Sequence, residues 1–434
     1  MVDSNCRRTN LQRHGRGLFA LSPVLVLLAV YLSASLLAGD FYGIPVCVAF
    51  VVAAVYSILV VRNMDFHERI RVFSAGAADS NILYMVWIFV LAGIFAASAK
   101  AVGAVDATVS MTMYLVPGRF LPAGIFIAAC FISMSVGTSV GTIVALAPVA
   151  TGISAEMGLS PALMISIVVG GAFFGDNLSF ISDTTIAATH TQGCQMKDKF
   201  RTNLKLVLPA AAVTLAIYTL SGISLDMDSD VPKVPFYLAI PYLAVIVCAL
   251  SRMNVLKVLV FGIILTDVLG LFFGTELLEL FRAAGDGIQS MTELILVTLL
   301  AGGIMNMVRT AGGFDYLIDV LTRKIGSRRG GEAVIALLTA LTNVCTANNT
   351  IAIITVGDIA REISSRFGIS PRRTASLLDT TSCFVQGLLP YGAQLLMAAG
   401  LSGLSPMEII PHLYYPMLLG VMVVVAIVFG IPRK

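Results

Sequence analysis

Eight apolar runs constrain this chain more than anything else in it: Leu18–Ala38, Ile44–Val61, Ile82–Ala99, Leu204–Ser221, Val234–Leu250, Val255–Phe273, Leu294–Val308 and His412–Ile431. About 20 apolar residues in a helix match the thickness of a bilayer's hydrocarbon core. Such runs are therefore read as transmembrane helices. With 57% hydrophobic and 12% charged residues, and a mean hydropathy of +0.91, too little polar surface remains for a soluble globule. The formal net charge of +3 supports no nucleic-acid partner. Seven cysteines lie far apart, with no CxxC pair and no histidine at ligand spacing, and read as small apolar fillers. Ahead of the first run stand Arg7, Arg8, Arg13 and Arg16. Because many spans follow, that run is expected to be a retained helix and not a cleaved signal.

Two longer regions, 120–190 and 331–402, carry Gly, Pro, Ser, Thr and Asn among apolar residues, the composition of re-entrant or broken helices. They are copies of one another. Gly158-Leu159-Ser160-Pro161 recurs as Gly368-Ile369-Ser370-Pro371, an offset of 368 − 158 = 210 residues. A shift of about that size places Gly76 on Gly285, Gly93 on Gly302, Lys100 on Arg309, Asp106 on Asp315, Thr138-Ser139 on Asn348-Asn349, and Asp176 on Gln386. Five segments follow: 1–69, a tail with two helices; 70–190, the first repeat; 191–279, linking helices; 280–402, the second repeat; and 403–434, a last helix.

Charge placement orients them. The positive-inside rule puts the basic N-terminus in the cytoplasm, together with Arg62, Arg69 and Arg71 and the loop 191–205 with Lys197, Lys199, Arg201 and Lys205. Asp226, Asp228 and Asp230 then fall outside, as does the acidic 274–290 segment (Glu276, Glu279, Asp286), whose first-repeat counterpart is inside. The repeats are thus inverted. Arg323 to Arg329, Arg361 to Arg373, Arg433 and Lys434 end inside. The expected fold is an all-α polytopic membrane protein with two inverted repeats, each with a re-entrant hairpin and a broken helix, about 10 spans plus two hairpins. Two full spans per hairpin give the same parity, so charge leaves that choice open.

The densest polar stretch is Gly170 to His190, GGAFFGDNLSFISDTTIAATH. Ionisable groups at membrane depth are costly and mark ion or substrate pathways. Asp176 follows Gly175 and precedes Asn177, and the glycines at 170, 171 and 175 are expected to weaken the helix there. A break would set backbone carbonyls beside a carboxylate that can exchange Na⁺ for H⁺. Asp183 either shares that role or caps a half-helix through the amides of Thr185 or Ile186. The hairpin tips add oxygens: Ser135, Thr138, Ser139 and Thr142 in the first, Thr346, Asn348, Asn349 and Thr350 in the second. Single hydroxyls often bond back to their own helix, but here two clusters fall at matched repeat positions. Asp379, which aligns with Val169, is either a second proton carrier or a fixed partner for Arg372 or Arg373. Candidate ion or substrate ligands are therefore Asp176, Asn177, Ser179, Ser182, Asp183, Thr184, Thr138, Ser139, Thr142, Asn348, Asn349, Thr350, Asp379 and Gln386. Of these, Asp176, Thr138, Ser139, Asn348 and Asn349 form the expected Na⁺ set.

With GTSVGT at Gly137 to Thr142 and GDNLSFISDTT at Gly175 to Thr185, the chain resembles the NhaC-type sodium/proton antiporters of the ion transporter superfamily. The family motif reads approximately GDxxSPxSDTT, so Asp176, Ser179, Ser182, Asp183, Thr184 and Thr185 match, while Phe180 replaces the usual proline. In TANNT, LLDTTSC and QGLLPYGAQ the second repeat departs further, as in a divergent NhaC-like branch. The resemblance implies an inverted-repeat transporter with a midplane site and alternating access, in a cell inner membrane.

The expected function is secondary Na⁺/H⁺ antiport through competition at Asp176, with no enzymatic activity. No cofactor is expected beyond the transported Na⁺ and H⁺, and no GxxxxGK[ST] loop suggests ATP hydrolysis. A second reading is a sodium-coupled transporter of an amino acid or other organic anion, using Asn348, Asn349, Gln386, Tyr391 and Gln394. Partners are membrane lipid and the two ions, with the organic anion under the second reading; a homodimer is left open. Both termini are expected in the cytoplasm.

Overall fold

A computed structural model describes residues 19–38, 46–61, 64–180, 182–223, 235–251, 253–322 and 325–431. Arg7, Arg8, Arg13, Arg16, Arg62, Asp226, Asp228, Asp230, Arg323, Arg433 and Lys434 lie outside the described residues. Helices account for the regular structure of the rest. In order they are α1 (Ser22–Ala38), α2 (Val46–Val60), α3 (Phe66–Ala77), α4 (Ser80–Ala101), α5 (Ala104–Leu115), α6 (Leu121–Val136), α7 (Ser139–Met157), α8 (Pro161–Leu178), α9 (Asp183–Gln192), α10 (Met196–Ile223), α11 (Ile240–Leu250), α12 (Val255–Phe272), α13 (Leu277–Ser290), α14 (Thr292–Thr310), α15 (Gly313–Thr322), α16 (Arg328–Thr346), α17 (Asn349–Phe367), α18 (Pro371–Gly387), α19 (Ala393–Ser402), α20 (Pro406–Ile409) and α21 (Tyr414–Phe429). Among the described residues, seven candidate spans are long and apolar enough to cross a membrane. An eighth is counted if Ala393–Ser402 and Pro406–His412, bent by 99°, form one broken span. Four shorter apolar helices accompany them.

The repeat is built from matching local chemistry. The shared Gly-x-Ser-Pro motif ends one helix and starts the next: Gly158 and Gly368 close α7 and α17 in the left-handed conformation (φ 62° and 65°), Ser160 and Ser370 occupy the N-cap, and Pro161 and Pro371 take the first helical turn. In each hairpin the second chain arm starts after a left-handed residue, Gly137 (φ 77°) in α6–α7 and Ala347 (φ 51°) in α16–α17. Each hairpin is tied to its own broken helix by an equivalent bond. Ser133 Oγ donates to Ala172 O at 2.6 Å, and 210 residues on Asn343 Nδ2 donates to Ser382 O at 2.7 Å.

Between repeats the contacts exchange. α3 packs on α14 while α4 packs on α13, and α9 lies on α17 while α19 lies on α7. At the first crossing Gly76 meets the Gly302 backbone; at the second Gly93 meets that of Gly287. A Cβ at any of these four would strike backbone, so only glycine allows the approach. The partner of Gly76 under the repeat is therefore Gly287 and not Gly285, around which there is open space.

Two sequence expectations need correction. Helix α8 does not break at Gly170, Gly171 or Gly175; it runs on to Leu178. Gly171 and Gly175 instead let α6 approach, since side chains there would strike Ala129 and the Phe126 carbonyl, or Ser133 and the Met134 amide. Lys199 does not sit in a loop either. The basic residues after Gly193 lie on the first turns of α10, where Lys197, Arg201 and Lys205 are exposed but Lys199 is buried.

Candidate functional site

The break in the first repeat falls between Leu178 and Asp183, and hydroxyls take up the carbonyls it frees. Ser182 Oγ donates to Asp176 O at 2.8 Å, with Thr184 and Thr185 Oγ1 at 3.5 Å from the same oxygen. Ser179 Oγ donates to Met134 O on the hairpin at 2.8 Å. Ser182 also caps α9 by accepting from the Thr185 amide at 3.3 Å. Asp183 does not cap. Its side chain is exposed at the positive end of α9, a favourable place for a carboxylate.

Asp176 projects the other way and is 4% exposed. Its Oδ1 accepts the backbone N–H of Ser139 at 3.1 Å. Ser139 is the first residue of α7, so the carboxylate faces a helix N-terminus, where unpaired amides and the helix dipole favour negative charge. From the second repeat, Gln394 Nε2 donates to Ser139 Oγ at 3.0 Å, and Gln394 Oε1 accepts from Gln386 Nε2 at 3.0 Å. Gln386 Nε2 also reaches the Ala347 carbonyl at the second hairpin turn, at 3.0 Å. One chain of bonds thus runs from Asp176 through the first hairpin and the second broken helix to the second hairpin.

Asp379 lies in a second polar cluster. Its Oδ2 accepts from Lys199 Nζ at 2.8 Å, Asn203 Nδ2 at 2.7 Å and Asn177 Nδ2 at 3.2 Å, while Tyr415 OH donates to Asn177 Oδ1 at 2.8 Å. Neither arginine expected beside Asp379 is its partner. Arg372 is exposed, and Arg373 pairs with Glu332 at 2.9 Å and holds the chain just past α21 through Ile431 O at 2.7 Å. Asn177 therefore links the two clusters: it follows Asp176 in the chain and bonds Asp379 through its side chain.

The remaining candidates serve the fold locally. Thr142 Oγ1 bonds back to Thr138 O at 3.1 Å and Ser135 Oγ to Phe131 O at 2.9 Å. Asn348 Oδ1 caps α17 through the Ile351 amide at 3.0 Å, and Asn349 Oδ1 accepts from the Thr350 amide at 3.0 Å. Thr138 stands at the N-cap of α7 and is half-buried, without a capping bond from its side chain. Several buried polar atoms around the centre have no partner among the described residues, including Asp379 Oδ1, Gln386 Oε1, Asn203 Oδ1, Asn343 Oδ1 and Asn349 Nδ2. Among the described residues no three His, Cys, Asp or Glu side chains converge, so the donors at hand are single carboxylates with neutral oxygens.

Lys199, Asn203 and Tyr415 were not foreseen. A usable signal was present for two of them: Lys199 and Asn203 stand at helical spacing with Leu206, Ala210, Thr214 and Tyr218, all buried on one face of α10.

A family model described as the Na⁺/H⁺ antiporter family matches residues 11–223 and 230–431. The chain is similar to the Na(+)/H(+) antiporter NhaC of Alkalihalophilus pseudofirmus, at 24% identity over 367 residues, covering 76% of this chain and 78% of that protein. It is similar also to the malate-2H(+)/Na(+)-lactate antiporter of Bacillus subtilis, at 21% identity over 448 residues and 95% of both chains. Among solved structures, the YdaH transporter of Alcanivorax borkumensis matches with a TM-score of 0.42 and 14% identity, over 85% of this chain and 89% of that one.

Proposed function

The chain belongs to the Na⁺/H⁺ antiporter family and is a membrane-spanning secondary transporter, and from that premise we propose that it exchanges Na⁺ for H⁺, with Asp176 as the carboxylate for which the two ions compete. The observation that carries this reading is the unequal state of the two central carboxylates. Asp379 is neutralised by Lys199 at 2.8 Å, whereas Asp176 has no ion-pair partner among the described residues and faces the amide end of α7. A buried carboxylate without a fixed counter-ion needs either a proton or a mobile cation. Because one excludes the other, uptake of Na⁺ releases H⁺, and neither ion crosses without the exchange.

Ser139, whose amide meets this carboxylate, also brings a neutral hydroxyl oxygen to it. The packing of α9 on the second hairpin and of α19 on the first supports alternating access, since a shift of the hairpins against the half-helices opens one side as it closes the other. We place the protein in the cytoplasmic membrane with both termini inside.

The organic-anion reading is the less favoured one. Asn348 and Asn349 are engaged with their own helix through Oδ1 and Gln386 bonds Gln394, while Asn349 Nδ2 and Gln386 Oε1 are left without a partner among the described residues. By their printed names both relatives carry Na⁺ and H⁺, and the second also carries malate and lactate, so accumulation of a labelled organic anion with Na⁺ is the result that would favour this second reading.

Proteoliposomes given a Na⁺ gradient at clamped membrane potential should show a luminal pH change that Asp176→Asn abolishes. A well-folded Asp176→Asn protein that still exchanges would sink the assignment.

A further inference from the structure

Lys199 stands where a free cation would. Its Nζ lies 2.8 Å from Asp379 Oδ2, 3.0 Å from Asn177 O and 2.6 Å from Thr185 Oγ1. Lys199 is 1% exposed and Asp379 0%. An ammonium has three N–H donors, and here three oxygens take them. Each oxygen comes from a different element. Asp379 belongs to α18 of the second repeat, Thr185 to the first turn of α9, and the Asn177 carbonyl to the last turn of α8, where helix carbonyls lack intrahelical partners and carry the negative end of the dipole. A half-helix C-terminal carbonyl is a donor with which broken-helix transporters hold Na⁺, and the carboxylate and the hydroxyl across the break add two more hard oxygens beside it.

We propose that this is a second cation position, kept filled by the tethered ammonium of Lys199, so that exchange runs through Asp176 alone and removal of the ammonium turns the position into a Na⁺ site. The inference builds on the reading of the centre as a cation site. One further oxygen supports it: Asp379 Oδ1 is buried without a partner among the described residues, although its carboxylate already lines this position. A small bare cation collects more ligands than an ammonium has N–H groups, and this atom is available to it. A merely structural ion pair would need the carboxylate but not the helix-end carbonyl or the hydroxyl.

The test counts bound ²²Na⁺ per chain in detergent and follows the melting temperature in NaCl against choline chloride. Lys199→Ala should bind one more Na⁺ than its parent, both in the wild type and in the Asp176→Asn background. It should also gain a Na⁺-dependent rise of a few degrees in melting temperature. Adding Asp379→Asn should remove the gain. A folded Lys199→Ala protein that binds no additional Na⁺ overturns the proposal. If the variant folds in NaCl but not in choline chloride, the ion has replaced the ammonium and the proposal stands; if it folds in neither, the proposal fails. Failure of the Asp176 reading shows separately, as Na⁺ binding to Asp176→Asn equal to that of the wild type.

Discussion

Proline at position 139 removes one atom's worth of chemistry from the Asp176 site. The Ser139 N–H lies 3.1 Å from Asp176 Oδ1, and Ser139 is the first residue of α7, where an amide has no intrahelical partner and proline fits the helix. Thr138 before it is extended, at φ −145° and ψ 123°, the region a residue preceding proline adopts. Ser139→Pro therefore deletes the donor and keeps the helix. A hydrogen bond to a charged group contributes about 1.5–3 kcal/mol. If it is lost from the Na⁺-binding form of Asp176, the half-saturating Na⁺ concentration rises roughly 10- to 100-fold. The serine hydroxyl goes too, with its 3.0 Å bond from Gln394 Nε2, so Ser139→Ala is the control. Losing that neutral bond costs about 1 kcal/mol, roughly a fivefold effect. The assay is the Na⁺ dependence of luminal pH change in proteoliposomes, with melting temperature as the check on folding. If the two variants fold and their half-saturating concentrations agree within about threefold, the amide end of α7 does not hold the charge of Asp176 and the reasoning is wrong.

Other outcomes follow from the hairpin turns and from the buried pair outside the site. Ala347 is the only non-glycine with positive φ among the described residues, and it matches Gly137 in the first hairpin. Ala347→Gly should raise stability by about 1 kcal/mol and Gly137→Ala lower it by a similar amount, read as opposite shifts in melting temperature. Arg373→Met leaves Glu332, 4% exposed, with Arg328 at 3.7 Å as its remaining ion-pair partner among the described residues. It should cost about 3 kcal/mol, the low end for breaking a buried pair. Arg373→Met with Glu332→Met should recover most of that in the same melt, and a single variant as stable as the wild type would show that the pair does not hold the end of α21.

What could be read from the sequence, and what could not, divides along the range of the interactions. The repeat was legible because each copy keeps the same internal spacing. Ser133 to Ala172 and Asn343 to Ser382 span 39 residues each, and the caps at Gly158-Leu159-Ser160-Pro161 and its copy are local chemistry. Asp176 was legible because a carboxylate in an apolar run demands an explanation wherever it packs. Its neighbour across the centre was not. Reasoning along one helix offers Asp379 an arginine six or seven residues earlier, but helical geometry puts Arg373 at the end of α18, beside Glu332, and the cation arrives from α10. Lys199 was hidden for a related reason. Counting it with Lys197, Arg201 and Lys205 treats a charge run as one solvated face, whereas a helix beginning at Met196 turns Lys199 and Asn203 inward and the other three outward. The period and not the composition decides which face a charge takes. Glycines mislead in the same way: Gly175 next to a carboxylate suggests a flexible break, yet its missing side chain is what lets α6 bring Ser133 and the hairpin against α8. That packing carries Ser139 to Asp176, so the residue that looked like the hinge fixes the site instead.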